Sequence, residues 1–65
     1  MTAQQIKDAV LRGNKVYYSH KGYEVITDKH NQWFIHCIAN DHCIGLTWAD
    51  DKTLNGIEQE FFIEN

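Results

Sequence analysis

Residues 32–48, QWFIHCIANDHCIGLTW, form the densest apolar stretch of the chain and hold both cysteines and two of the four histidines. β-Branched and aromatic residues dominate either side of Asn40-Asp41, two residue types that tolerate the left-handed backbone of a tight turn. The stretch therefore reads as two strands, about 32–39 and 42–48, joined as a hairpin. A two-residue turn at Asn40-Asp41 sets Ala39 opposite His42 and Cys37 opposite Ile44. Trp33, Ile35, Cys37, Ala39, Ile44, Leu46 and Trp48 then share one face. Phe34, His36, Ile38, Cys43 and Thr47 share the other, with Gly45 across from His36.

That alternation governs the chemistry the stretch can support. His36-Cys37 and His42-Cys43 look like four zinc ligands, but neighbours in a strand point to opposite faces and do not converge on one tetrahedral ion. The spacing also lacks the usual pair of cysteines two to four residues apart, so no metal site and no cofactor are expected. The cysteines read as small buried thiols on opposite faces, not as a disulfide. Cys43 and His36 share a face, yet nothing nearby supplies an oxyanion hole and a sheet with one helix has little concavity to exclude water. The chain is read as a non-enzyme.

Upstream, Thr2-Ala3-Gln4-Gln5 matches a capping box. Ala3, Ile6, Ala9 and Val10 follow at helical spacing and Gly13 fits the stop, which predicts an amphipathic helix over about 3–12. Lys15–His20 and Tyr23–Lys29 read as a second pair of strands (about 15–20 and 23–29) turning at Lys21-Gly22. That turn opposes His20 with Tyr23, Tyr18 with Val25 and Val16 with Thr27. Val16, Tyr18, Tyr23 and Val25 fall on one face, and Tyr17, Ser19, Glu24 and Ile26 on the other. The next turn, Lys29–Gln32, should place Asn31 at positive φ, and an odd loop length keeps Val25 beside Ile35. Downstream, residues 49–56 form the longest loop. Asp50, Asp51 and Asn55 offer oxygen atoms but not the ligand alternation of a calcium loop. Leu54 and Ile57 should tuck under the sheet or helix, and Glu60–Glu64 reads as a short last strand with Phe61 and Ile63 on one side and Phe62 on the other.

These elements make one α+β domain over residues 1–65: an N-terminal helix on an antiparallel meander of four to five strands. At 65 residues, such a core supplies only about 3–5 kcal/mol, so any contribution from partners or self-association matters. No apolar run reaches the roughly 18 residues of a membrane span, and the charged MTAQQIKDAVLR start is unlike a signal peptide, so a cytoplasmic protein is expected. Residues 1–32 carry five Lys or Arg against three acids, and residues 33–65 one Lys against six. This acidic second half argues against a phosphate-binding stripe, and nucleic acid is not the expected partner.

One helix can cover only one face of such a sheet. The other face, bearing Tyr17, Ile26, Phe34, His36 and Ile38, is too apolar for plain solvent and reads as the contact surface for a protein partner or a second copy. A homodimer and a docked partner remain alternatives, as do a small metal-binding module and a single-strand binder that stacks bases on Tyr17 and Phe34. The succession KVYYSHKGYEVI, QWFIHCIAN, IGLTWADD and LNGIEQEFFI behind a short helix resembles small uncharacterised proteins encoded by bacteriophages and prophages, over most of the chain. The resemblance carries no catalytic motif. It implies an accessory role, such as binding or inhibiting a host protein.

Overall fold

The computed structural model describes residues 1–50 and 53–64. Helix α1 (Ala3–Leu11) begins at the capping box: Gln5 donates its N–H to Thr2 Oγ1 at 3.2 Å, and Thr2 donates its N–H to Gln5 Oε1 at 2.9 Å. Two amides that the helix cannot satisfy internally are thus paired. Beyond the C-cap Arg12, Gly13 adopts φ 93°, a conformation a Cβ would oppose, and the chain leaves the helix there.

Five strands follow among the described residues: β1 (Val16–Tyr18), β2 (His20–Thr27), β3 (Trp33–Cys37), β4 (His42–Gly45) and β5 (Phe61–Ile63). They form one antiparallel sheet in the order β4-β3-β2-β1-β5, so the fold is α+β with a meander of four strands and a fifth added beside the first. The β2–β3 connection has the odd length expected, with Val25 opposite Ile35 and Asn31 at φ 61°. Asp28 organises it, its Oδ1 accepting the N–H groups of His30 at 2.9 Å and Gln32 at 3.0 Å.

Two hairpins differ in register from the sequence reading. β1 and β2 turn at Ser19, held at φ 67°, and not at Lys21-Gly22, which lie inside β2. Tyr17 consequently faces Glu24. The turn falls early because the start of β2 finds other partners: Ile38 donates its N–H to Gly22 O at 2.9 Å, and Ser19 donates its own to Glu60 O at 2.8 Å. The β3–β4 turn is likewise longer than two residues, with Cys37 opposite His42 and His36 opposite Cys43. A tight turn of that kind needs positive φ at both central residues, and here Asp41 takes it (φ 57°) while Asn40 does not. Asn40 instead accepts the His42 N–H on its side-chain oxygen at 3.0 Å. Ala39 and Ile38 therefore lie in the turn.

The core lies on one face of the sheet, where Ile6 and Ala9 of α1 meet Val16, Val25, Ile35, Leu46 and Phe61. After β4 the chain must cross from one edge of the sheet to the other, and it does so over this same face. Leu46 is fully buried, Thr47 bridges Leu54, and Asn55 donates its N–H to Leu46 O at 2.8 Å. Gly56 then lies on the Tyr18 ring, where a Cβ would come within 2.9 Å of a ring carbon. A 3₁₀ turn (Glu58–Glu60) delivers the chain to β5, which pairs Val16 with Ile63 and Tyr18 with Phe61. Leu54 packs against the core as expected, whereas Ile57 is exposed at the start of the 3₁₀ turn. Asp50 is engaged within its loop, accepting from Thr53 N–H at 2.9 Å and Thr53 Oγ1 at 2.7 Å. Asp51, the other acidic residue of that loop, lies outside the described residues.

Fully burying a large aliphatic side chain contributes about 1.5–3 kcal/mol, and few residues here are buried to that degree. Leu46→Ala is therefore expected to cost about 2–5 kcal/mol, comparable with the whole stability of so small a domain. Leu11→Ala, at a side chain 72% exposed, should stay within about 0.5 kcal/mol. Urea titrations followed by circular dichroism check both; equal midpoints would refute this account of the core.

Candidate protein-interaction surface

The two sides of the sheet are covered unequally. Both α1 and the described parts of the returning segment, 46–50 and 53–60, lie on the face of Val16, Val25 and Ile35, and none of the described residues folds over the other. On that open face the registers align one residue from every strand: Cys43, His36, Glu24, Tyr17 and Phe62 form a continuous row from β4 to β5. Neighbours in such a row have Cβ atoms about 4.5–5.5 Å apart, close enough for their side chains to meet. A second row beside it joins Ile26 to Phe34 and Gly45.

Local contacts set the character of each end. At the β1–β5 end, Tyr17 packs on Phe62 with ring centroids 5.7 Å apart, its hydroxyl lies 3.5 Å from Glu64 Oε2, and Lys21 Nζ lies 3.2 Å from Glu64 Oε1. At the β4 end, His36 Nε2 lies 3.0 Å from Asp41 Oδ1. Cys43, across from His36, is exposed and free, and Cys37 is free and half-buried on the opposite face.

Four of the five expected contact residues are brought together. Tyr17, Ile26, Phe34 and His36 all lie on the open face, with Ile26 directly opposite Phe34. Ile38 is separated from them: it sits in the β3–β4 turn, exposed, where its backbone is bonded to Gly22. Tyr17 is on the open face but only 6% exposed, because Phe62 and Glu64 close over it. It shapes the surface more than it offers area, and its ring is not an open platform for stacking a base. Phe62 and Glu24 complete the row. Phe62 could be assigned to the side away from Phe61 by alternation, but nothing local says that β5 pairs with β1.

Among the described residues no group of three or more His, Cys, Asp or Glu side chains is placed to hold a metal ion. The pairing explains why the four zinc-like residues fail to converge: Cys37 faces His42 on one side of the sheet, and His36 faces Cys43 on the other. No helix among the described residues is long and apolar enough to cross a membrane.

Besides a concavity of about 560 Å³ between the helix and Phe61–Ile63, two others open on the helix side. One, of about 440 Å³, lies where cover ends over β3 and β4, lined by Tyr18, Tyr23, Cys37, His42, Ile44 and Glu60 among others. A second, of about 540 Å³, lies between Lys7, Trp33 and Trp48, with Lys7 Nζ 6.0 Å from the Trp33 ring centre. Ile44 and Trp48, expected in the core by alternation, are 51% and 63% exposed: Ile44 stands in the wall of the concavity of about 440 Å³, and Trp48 lies beyond the end of β4 in the returning segment itself.

Comparison with protein-family models, with curated proteins and with solved structures finds no match for this chain.

Opposed cysteines have a direct consequence. Mild oxidation of the monomer should form no intrachain disulfide, because thiols on opposite faces of a sheet cannot reach the required geometry. Intact-mass analysis should find both thiols retained, and a thiol reagent should label Cys43 ahead of Cys37. Loss of two hydrogens from the monomer would contradict the β3–β4 register.

Proposed function

We propose that the protein is a non-catalytic binding module that engages a protein partner, or a second copy of itself, through the open face of its sheet. The observation carrying this reading is the one-sided cover: the helix and the returning chain occupy the same face. They leave Ile26, Phe34 and Phe62 beside a row of Glu24, His36 and Cys43. Apolar and aromatic groups among a few polar ones make up the usual centre of a protein interface. Binding would also extend the small core, adding stability by mass action to a domain that has little of its own. An accessory role towards a host protein, as in the phage-encoded proteins the sequence resembles, is compatible with a module of this kind.

Phe34 stands near the middle of the apolar part and is half-buried, so a charge there should remain hydrated without opening the core. Phe34→Glu is expected to weaken association by about 30-fold or more, the effect of losing an interface hot spot. Its far-UV circular dichroism should match the wild type. Sedimentation equilibrium reads self-association and calorimetry with a purified partner reads the other case. A folded Phe34→Glu protein that associates like the wild type removes this face from consideration.

A further inference from the structure

The outer edge of β4 has backbone groups with no partner among the described residues, and their identity follows from the ladder. Leu46 donates its N–H to Trp33 O at 3.0 Å, which makes Trp33–Leu46 a hydrogen-bonded pair. Bonded and non-bonded pairs alternate along an antiparallel ladder, so Ile35–Ile44 and Cys37–His42 are the other bonded pairs. The N–H and C=O groups of Cys43 and Gly45 consequently point away from β3, towards the free edge. Gly45 O already accepts from Asn55 Nδ2 at 3.3 Å. Cys43 N–H, Cys43 C=O and Gly45 N–H remain as two donors and one acceptor on an exposed strand.

Sheet edges are ordinarily guarded by lysine, proline, a bulge or very short length. The β5 edge is guarded: it is three residues long and flanked by Glu58, Glu60 and Glu64. β4, HCIG, is one residue longer at four, carries no lysine or proline, and no bulge interrupts its pairing with β3. The concavity of about 440 Å³ lies directly beside it, with His42 and Ile44 in its wall. From residue 30 to 51 there is no Lys or Arg, whereas Asp41 at the head of β4 and Glu60 in the cleft wall are carboxylates.

We propose that the β4 edge accepts an extended, basic segment of a protein partner as a sixth strand. The residue opposite Cys43 exchanges main-chain hydrogen bonds with it and points its side chain to the open face, towards Asp41 and the Glu24–His36 row. Its two neighbours point to the helix side, where they meet Ile44 and the cleft. The surface thus selects alternation, basic residues on one side and apolar residues on the other, with main-chain bonds supplying sequence-independent affinity. A second copy's β4 is a poor occupant on charge, since it brings Asp41 and no cation. This inference does not depend on the open face being an interface.

The test uses a fluorescein-labelled peptide, Lys-Val-Lys-Ile-Lys-Val-Lys, and a counterpart with Glu for Lys, titrated by anisotropy against the full chain. The basic peptide should saturate, and the acidic one should bind at least about ten-fold more weakly. Cys43→Pro removes an outward N–H without touching the β3 ladder, a change edge strands tolerate. It should weaken the basic peptide by about ten-fold or more, while Cys43→Ser stays within about two-fold. If Cys43→Pro fails to fold, amide exchange in the wild type replaces it: the peptide should slow the Cys43 and Gly45 amides. Equal binding by the Pro and Ser variants overturns the proposal, as does unslowed exchange at those amides or no saturable binding of the basic peptide. So does a wild-type dimer that Cys43→Pro dissolves, which would give the edge to a second copy.

Discussion

The return of the chain from β4 to β5 is the constraint on which the molecule depends. A four-strand meander ends at the edge farthest from β1, and the last strand must pair with β1. The connection therefore has to cross a face of the sheet, and it crosses the face already occupied by the helix. Leu46 and Leu54 are drawn into the core by that crossing, Gly56 is needed where the backbone lies on the Tyr18 ring, and Phe61 closes the far side. Had the segment crossed the other face, the sheet would be a filled sandwich with no open surface.

Much of this fold is legible in the sequence because its determinants are local. The capping box and Gly13 mark both ends of the helix, and Asn31 marks the β2–β3 turn together with an odd loop that keeps Val25 on Ile35. What the sequence does not expose is decided by distant partners. Lys21-Gly22 has the composition of a turn, yet Gly22 is held in β2 by Ile38, sixteen positions away, and Ser19 is turned early by its bond to Glu60. The pairing of Phe62 with Tyr17 belongs to the same class. It buries Tyr17, which taken alone reads as an exposed aromatic.

The β3–β4 register differs from the sequence reading by two residues, as does Tyr17–Glu24 before an irregularity carries Tyr18 to His20, and the even shift in β3–β4 is why its chemistry survives. A shift of one would exchange the faces of every side chain, whereas a shift of two preserves them. Cys37 and Cys43 remain on opposite sides under either register, as do His36 and Cys37. Cys37 with His42 and His36 with Cys43 therefore divide between the two faces, the separation strand alternation implies, although the partner of each residue differs from the one the sequence suggests. Pair identity changes where it is least local: His36 meets Cys43 and not Gly45, and its imidazole reaches Asp41 because the turn is longer and swings that carboxylate back over the strand.

The same economy of cover accounts for the contrast between the two edges. Sheet strands lie about 4.8 Å apart and a helix with its side chains is about 10 Å wide, so one short helix cannot shield five strands. Cover is concentrated over β1 and β2, where α1 makes its contacts with the sheet. It thins towards β4, and there three features coincide: exposed Ile44, a cleft and an unguarded edge. At the opposite end the carboxylates of the 3₁₀ turn and Glu64 surround β5. An edge that would repel its own copy and an edge that carries no such guard are unequal in the partners they admit. The molecule is therefore polarised along the strand order, with carboxylates gathered around the β5 edge and an exposed, apolar-lined cleft beside the β4 edge.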